Sequence, residues 1–301
     1  MQDGDKNKVL VLGAGGMLGN AIFRLFANAG RDSVTGTLRS ASKMRYFTPE
    51  QRDRLISDVD VTDDRSLAAV FDDVKPSIVI NCIGIIKQHS AAKDPLTALT
   101  INAVLPHRLA QLCADHGARL IHMSTDCVFS GDRGGYREDD FPDADDLYGR
   151  TKYLGETHYP HTVTLRTSII GHELGSAYSL IDWFLNQEGS VKGYSKAIFS
   201  GLPTIEVARV IRDFVYDNLT LSGVYHLSAH PISKHDLLSL VAQAYGKKIE
   251  IVPDTTVDID RSLNSERFRQ ATGYVPTPWP DLIHTMYTDH LDQVRSVDTA
   301  T

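Results

Sequence analysis

The chain has 301 residues, of which 42% are hydrophobic and 23% are charged, a composition typical of a folded globular protein. Its formal net charge of −7 argues against nucleic-acid or anionic-membrane partners, because phosphate-rich surfaces attract basic proteins. No apolar run approaches the roughly 20 residues of a membrane span, and residues 1–8 lack an apolar signal core, so we expect a cytoplasmic protein. Three scattered cysteines fit neither a disulfide framework nor a zinc site, and we predict no metal site.

Apolar runs and amphipathic stretches alternate through the first half of the chain. Residues 8–13 form a short apolar run that ends in glycine, as does a strand covered on both faces. Residues 17–30 carry apolar side chains at helical spacing and stop at a glycine. Further strands are predicted at residues 33–38, 55–60, 77–84, 119–125 and 163–171, and further helices at 64–74, 94–117 and 148–159. This order predicts an α/β fold with a doubly wound parallel sheet of the Rossmann type.

The pattern loosens after about residue 167. Predicted elements there are helices at residues 175–189, 204–218 and 233–246, a strand at 223–229 and a last helix after the prolines of 276–280. This region is too short for a second full α/β domain. We therefore assign residues 1–166 to the sheet domain and residues 167–301 mainly to a smaller C-terminal substrate-binding cap, with some elements returning to the sheet.

The first strand-to-helix junction carries Gly13, Gly16 and Gly19. Glycine lets the backbone turn tightly and approach a pyrophosphate, whose charge the helix N-terminal amides then hold. Because a predicted strand precedes these glycines and a predicted helix follows them, the motif predicts a dinucleotide site. Met17 and Leu18, within the motif, belong to the same predicted contact surface. The alternative is a glycine-rich turn without a ligand.

The end of the second strand indicates which dinucleotide binds. Enzymes that prefer NAD usually hold the ribose with an acidic residue about 20 residues after the glycines. No acidic residue lies between Asp32 and Glu50 in this chain. Arg39 can instead pair with a 2′-phosphate, and Ser40 can add a hydroxyl. We therefore predict NADPH and an NADP-binding domain over residues 1–166; an exposed basic loop is the alternative.

A hydroxyl, a phenol and an ammonium lie close together in the sequence, at Thr125, Tyr148 and Lys152. Lys152 follows Tyr148 by about one helical turn, so both side chains share one helix face. A nearby ammonium stabilises the phenolate, which allows the phenol to give a proton to a carbonyl oxygen. Thr125, at the end of a predicted strand, can hydrogen-bond the same oxygen. These residues predict carbonyl reduction without a catalytic histidine.

The order of glycine turn, strand-end hydroxyl and Tyr-x-x-x-Lys resembles the extended short-chain dehydrogenases/reductases. Residues 124–156, with segments 165–171, 201–211 and 260–268, are similar to the dTDP-4-dehydrorhamnose reductase family of nucleotide-sugar 4-ketoreductases. The resemblance implies that Thr125, Tyr148 and Lys152 are catalytic and that Tyr148 and Lys152 also contact the cofactor. It further implies that Asn102 supports a water relay behind the lysine. The resemblance also implies that five further residues contact the cofactor: Asp60, Val61, Cys82, Ile83 and Gly84.

The implied activity is NADPH-dependent reduction of the 4-keto group of a nucleotide-linked 4-keto-6-deoxy sugar. Residues 81–90 and Cys127 depart from the reductase pattern near the sugar, which leaves the particular substrate open. Related 4,6-dehydratases usually carry an Asp-Glu pair directly after the threonine, whereas here Asp126 precedes Cys127. An epimerase or dehydratase with retained cofactor and a non-catalytic regulatory subunit remain alternatives. The expected partner is a nucleotide sugar, and a homodimer is the candidate assembly.

Overall fold

A computed structural model of the chain describes residues 7–85 and 94–298. Strands and helices alternate through the first part of the chain, as the sequence predicts. They are β1 (Lys8–Leu12), α1 (Met17–Ala29), β2 (Ser33–Thr37), α2 (Pro49–Arg52), β3 (Leu55–Ile56), α3 (Asp64–Val74), β4 (Ile78–Asn81), α4 (Pro95–Ala98), α5 (Leu105–Asp115), β5 (Arg119–Thr125), α6 (Leu147–Leu154) and β6 (Thr162–Thr167). A π-helical segment, Leu99–Val104, joins α4 to α5, and 3₁₀ turns cover Ala41–Tyr46 and Asp126–Val128.

The remaining elements form the C-terminal part of the chain. They are β7 (Ile169–Ile170), α7 (Leu180–Leu185), β8 (Ser190–Phe199), β9 (Leu202–Pro203), α8 (Thr204–Val210), β10 (Gly223–His226), β11 (Ile232–Ser233), α9 (Lys234–Ala244), β12 (Glu250–Asp260), α10 (Glu266–Thr272) and α11 (Trp279–Asp298). A π-helical segment, Ile211–Val215, extends α8. Ser233 caps α9, because its hydroxyl accepts a hydrogen bond from the Asp236 amide.

Seven parallel strands form the central sheet, in the order β10-β6-β5-β4-β1-β2-β3. Alternate side chains of each strand enter the apolar cores on opposite faces: Val9 and Val11 of β1 join one, and Leu10 and Leu12 the other. Both faces are therefore buried, which explains the continuous apolar runs in the sequence. The predicted fold class is confirmed. No helix within the described residues is long and apolar enough to cross a membrane.

The C-terminal part contributes one strand to this sheet, because β10 pairs in parallel with β6. The other strands form a three-stranded sheet, β11-β8-β12, and a two-stranded one, β7-β9. The long strands β8 and β12 are absent from the sequence prediction. Proline and three aspartates interrupt the apolar pattern of β12, and its pairing with β8 shifts register between Asp254 and Asp258. Assignment of residues 167–301 to substrate binding remains a prediction.

Several predicted elements differ from the structure in extent. The strand predicted at 55–60 covers only Leu55–Ile56, and the one predicted at 163–171 divides into β6 and β7, which belong to different sheets. The helix predicted to reach residue 159 ends at Leu154, and the one predicted at 175–189 covers Leu180–Leu185. Each of these helices starts where a side chain accepts a hydrogen bond from a backbone amide. Asp146 accepts from the Gly149 amide and Ser179 accepts from the Asp182 amide, and periodicity alone does not reveal these caps.

Candidate active site

The glycine turn lies between β1 and α1 and has the geometry of a phosphate-binding loop. Gly13 adopts a φ of +85°, a conformation that side chains disfavour, and its carbonyl accepts a hydrogen bond from the Gly16 amide at 3.0 Å. A Cβ on Gly19 would overlap the Gly13 carbonyl oxygen, so the close helix approach requires glycine. Gly16 caps α1 without a side-chain hydrogen bond, and the first turn contains no acidic residue. The helix terminus therefore suits an anion.

The two residues after the turn have different surroundings. Leu18 is buried in the sheet core. Met17 is half-buried and approaches Gly171, which follows β7, since a Cβ built on Gly171 would lie 3.4 Å from Met17 Cγ. The structure therefore places Met17 between the glycine turn and the C-terminal part of the chain.

Arg39 and Ser40 follow β2 and are exposed. Ser40 Oγ accepts a hydrogen bond from the Ser42 amide and caps the 3₁₀ turn. Among the described residues, Arg39 has no hydrogen-bond or ion-pair partner. Lys43, in the same turn, donates from Nζ to the Leu174 carbonyl at 2.5 Å. The Arg39 guanidinium is therefore the cation available for a 2′-phosphate.

Asp60 and Val61 lie after β3, in the turn before α3. The Asp60 carboxylate accepts hydrogen bonds from the Thr62 hydroxyl at 2.7 Å and amide at 2.9 Å. These hydrogen bonds lower the pKa of Asp60 and keep its carboxylate ionised within the turn. Val61 packs against the sheet core that contains Leu10. Asp60 consequently shapes this turn through its own hydrogen bonds.

Cys82, Ile83 and Gly84 continue from β4 toward the glycine turn. The Cys82 amide donates to the Leu12 carbonyl at 3.1 Å, and Ile83 lies against Gly13. Burial raises the pKa of the Cys82 thiol to about 12, so this side chain is neutral at physiological pH. A Cβ on Gly84 would lie 3.6 Å from Asn102 Oδ1 and 3.9 Å from Lys152 Nζ. This segment thus joins the predicted cofactor contacts to the predicted catalytic residues.

Thr125, Tyr148 and Lys152 converge at the carboxyl end of the central sheet. Lys152 is only 4% exposed and donates from Nζ to the Met123 carbonyl of β5 at 2.7 Å. Burial lowers the pKa of Lys152 to about 8. Burial also raises the pKa of Tyr148, and hydrogen bonding with Thr125 opposes that shift. The phenol is therefore protonated at neutral pH and lies beside the threonine hydroxyl.

Asn102 lies in the π-helical segment between α4 and α5. Its Oδ1 accepts a hydrogen bond from the Ile85 amide at 2.9 Å, and its Nδ2 donates to the Ile85 carbonyl and to Thr151 Oγ1. A Cβ on Gly155 would overlap the Asn102 carbonyl oxygen, so α6 approaches the segment closely. Such π-helical segments often occur at functional sites. Asn102 connects the chain after β4 to the helix that carries Lys152.

Asp126 and Cys127 continue directly from Thr125. The Thr125 hydroxyl donates to Asp126 Oδ1 and accepts from the Cys127 amide, both at 3.1 Å. Burial raises the pKa values of both side chains, that of Cys127 to about 12. The Cys127 thiol is therefore a poor proton acceptor near neutral pH.

Sequence reasoning missed Arg261, which the structure brings to this site. Its positive charge acts on both Asp126 and Cys127, and its Nε donates to the Phe129 carbonyl at 2.8 Å. Arg261 directly follows β12, a strand absent from the prediction, so no local signal located it. Within the described residues, no group of three or more His, Cys, Asp or Glu side chains could hold a metal ion.

Comparison with known proteins identifies the family. The family model for the RmlD substrate binding domain matches residues 7–290. The chain belongs to the RmlD substrate binding domain family. The predicted resemblance is thereby confirmed, and the match spans both the glycine turn and the C-terminal strands.

Individual relatives are similar to this chain over most of its length. A dTDP-4-dehydrorhamnose reductase of Aggregatibacter actinomycetemcomitans is 25% identical over 297 residues, covering 90% of this chain and 95% of the relative. Methionine adenosyltransferase 2 subunit beta of Xenopus tropicalis is 26% identical over 294 residues, covering 90% of this chain and 78% of the relative. The crystal structure of dTDP-4-dehydrorhamnose reductase from Bacillus anthracis in complex with NADP superimposes with a TM-score of 0.79 at 21% identity, covering 96% of this chain and 100% of that one.

Proposed function

We propose that this protein uses NADPH to reduce the 4-keto group of a nucleotide-linked 4-keto-6-deoxy sugar. The observation that carries the proposal is the convergence of Thr125, Tyr148 and Lys152 beside the glycine turn, at one edge of the sheet. Membership of a family with a dTDP-4-dehydrorhamnose reductase among the relatives supports the substrate class. The exposed Arg39, without an acidic residue nearby in sequence, supports NADPH over NADH.

Each residue of the site has its own role in the proposed reaction. NADPH, when bound, supplies the hydride. Tyr148 donates its proton to the ketone oxygen, and the Lys152 ammonium favours the phenolate that remains. Thr125 can polarise the same oxygen, but its hydroxyl now donates to Asp126, so a bound ketone must compete with that carboxylate. Asn102 holds the backbone after β4 in place, and the predicted water relay behind Lys152 remains a proposal.

The residues of the site argue against two alternative functions, a dehydratase and a regulatory subunit. A 4,6-dehydratase needs a general base and a general acid beside the tyrosine, yet Asp126 is followed by a neutral thiol at Cys127. A purely regulatory subunit, suggested by the methionine adenosyltransferase relatives, would not need the intact arrangement of Tyr148 and Lys152. The buried ammonium and the protonated phenol therefore favour a reductase.

We further infer that the chain forms a homodimer through the face that carries α4 and α6. Large apolar side chains are exposed on this face. They are Leu96, Leu99, Val104, Tyr153 and Leu154. Apolar side chains gathered on one surface typically mark a protein interface.

A cytoplasmic location stays a prediction, with which three free cysteines agree.

The proposed reaction predicts that one NADPH is oxidised for each sugar reduced. The experiment incubates the protein with NADPH and a panel of nucleotide-activated hexoses and their 4-keto-6-deoxy forms. It follows NADPH absorbance together with product mass, and Tyr148→Phe serves as the control. A gain of two hydrogens by a 4-keto sugar, matched by NADPH loss, supports the proposal. Loss of water from an intact hexose without net NADPH consumption would establish a dehydratase instead.

A further inference from the structure

A buried ion pair lies directly behind the predicted catalytic residues. Arg166 of β6 and Glu156, which follows α6, have side chains only 3% and 1% exposed. The guanidinium donates from Nε to Oε1 and from Nη2 to Oε2, each at 2.7 Å. The Ser124 hydroxyl of β5 donates to Oε1 at 2.8 Å. Three donated hydrogen bonds therefore fix the carboxylate in place.

The same pair is anchored at the edge of the sheet. Arg166 Nη1 lies 3.2 Å from His226 Nε2, and His226 Nδ1 lies 3.0 Å from the Tyr136 carbonyl oxygen. Because that oxygen can only accept, Nδ1 carries the proton and Nε2 accepts from Arg166. Burial, followed by the positive charge of Arg166, lowers the pKa of His226 to about 3. The imidazole is therefore neutral, and Arg166 is the cation that pairs with Glu156.

Glu156 lies four residues after Lys152, and adjacent residues of β5 hold both side chains: Lys152 Nζ donates to the Met123 carbonyl at 2.7 Å, and the Ser124 hydroxyl donates to Glu156 at 2.8 Å. Burial disfavours the Lys152 ammonium, and the negative charge of Glu156 opposes this effect. Cys82 after β4 and His122 of β5 also face the lysine from neighbouring elements, and Tyr148 lies about one turn before it on α6. Burial holds all three in their neutral forms near pH 7. Among these neighbours of Lys152, Glu156 is the carboxylate, and it pairs with the Arg166 guanidinium.

We propose that Glu156 is a positioning residue that keeps Lys152 protonated, and that Arg166 and Ser124 hold Glu156 in place for this purpose. The ion pair joins α6 to β5 and β6, which also fixes the face of α6 that presents Tyr148 and Lys152. Glu156 acts through Lys152 and touches no reacting atom. The inference rests on the proposed function only for the catalytic value of a charged Lys152.

The test measures the titration of Lys152 directly. Protein labelled with [ε-¹³C]lysine is titrated by NMR, and the Lys152 signal is assigned by its loss in Lys152→Arg. We expect a midpoint near pH 8 in the wild type. Glu156→Gln should lower that midpoint by about one pH unit, because an anion that favours the ammonium is lost. Arg166→Lys is the matched control, since it perturbs the pair but keeps both charges, and its midpoint should stay at the wild-type value.

A second variant keeps the proposal testable if Glu156→Gln does not fold. Glu156→Gln combined with Arg166→Met removes both charges, and such replacement of a buried pair is often tolerated. It should also show a downward shift, smaller than that of Glu156→Gln because loss of the Arg166 cation favours the ammonium, and an alkaline fall in turnover at lower pH than the wild type. A wild-type Lys152 midpoint in the folded neutralised variants overturns the proposal. Because the NMR titration uses no sugar, failure of the wild type to reduce any sugar would count against the proposed function alone.

Discussion

At the scale of single residues, burial determines which proton can move. The phenol of Tyr148 stays protonated at neutral pH because partial burial raises its pKa, whereas burial lowers the pKa of Lys152 to about 8. Burial therefore moves the two pKa values apart, whereas the free side chains titrate at similar pH values. As a consequence, Tyr148 can serve as the proton donor for ketone reduction when the neighbouring ammonium stabilises its phenolate.

Replacing the phenol tests this assignment. Tyr148→Phe should lower turnover by about 100-fold or more, the loss expected for a general acid, because the ring is kept and only the hydroxyl is lost. NADPH affinity by fluorescence titration and the thermal unfolding midpoint should remain near wild type. A variant that retains more than about a tenth of wild-type turnover would remove Tyr148 from the mechanism.

Cofactor selection is tested at Arg39. Arg39→Ala should weaken NADPH binding by about 1.5–3 kcal/mol, the range for hydrogen bonds to charged groups, and leave NADH binding unchanged. Arg45→Ala is a matched control, because the Arg45 guanidinium already donates to the Tyr46 hydroxyl at 2.8 Å. Calorimetric titration with both cofactors provides the measurement. Equal losses for NADPH and NADH would show that Arg39 does not contact the 2′-phosphate.

At the scale of elements, the packing of α1 against the glycine turn is tested by two substitutions in one motif. Gly19→Ala should cost about 1–3 kcal/mol of unfolding free energy, because its Cβ would overlap the Gly13 carbonyl oxygen. Gly16→Ala should leave stability near wild type, since its Cβ would meet the same oxygen at 3.4 Å, an ordinary contact. Denaturant unfolding measures both. Similar stability losses in the two variants would contradict this account of the turn.

The sequence predicts the central sheet well because burial on two faces leaves continuous apolar runs, as in β1 and β4. It fails for β8 and β12, whose exposed and charged side chains interrupt the pattern of a strand. The C-terminal sheet forms by pairing between segments about 60 residues apart, and no local signal records that pairing.

The candidate site, like the fold, is predicted from the sequence only in part. Tyr148 and Lys152 share one helix, so their spacing places them together. Glu156, by contrast, gains its role from Arg166 on a neighbouring strand, and Arg261 approaches Asp126 only after β12 is in place. Sequence spacing reveals chemistry within an element, whereas contacts between elements require the fold.

At the scale of the whole molecule, the exposed apolar face of α4 and α6 predicts self-association. Leu96 is 76% exposed on α4, and Leu154 is also exposed at the end of α6. We expect the wild type to sediment as a dimer in analytical ultracentrifugation, and Leu96→Glu combined with Leu154→Glu to sediment as a monomer. Charged side chains would have to be desolvated in such an apolar contact, which disfavours it.

A leucine elsewhere on the surface provides the control for this experiment. Leu219 is 75% exposed in the turn before β10, outside the face defined by α4 and α6. Leu219→Glu should therefore leave the dimer intact, although it changes charge and surface hydrophobicity in the same way. A wild type that stays monomeric at micromolar concentration would refute the dimer. Dissociation by Leu219→Glu as well would show that the association does not depend on this face.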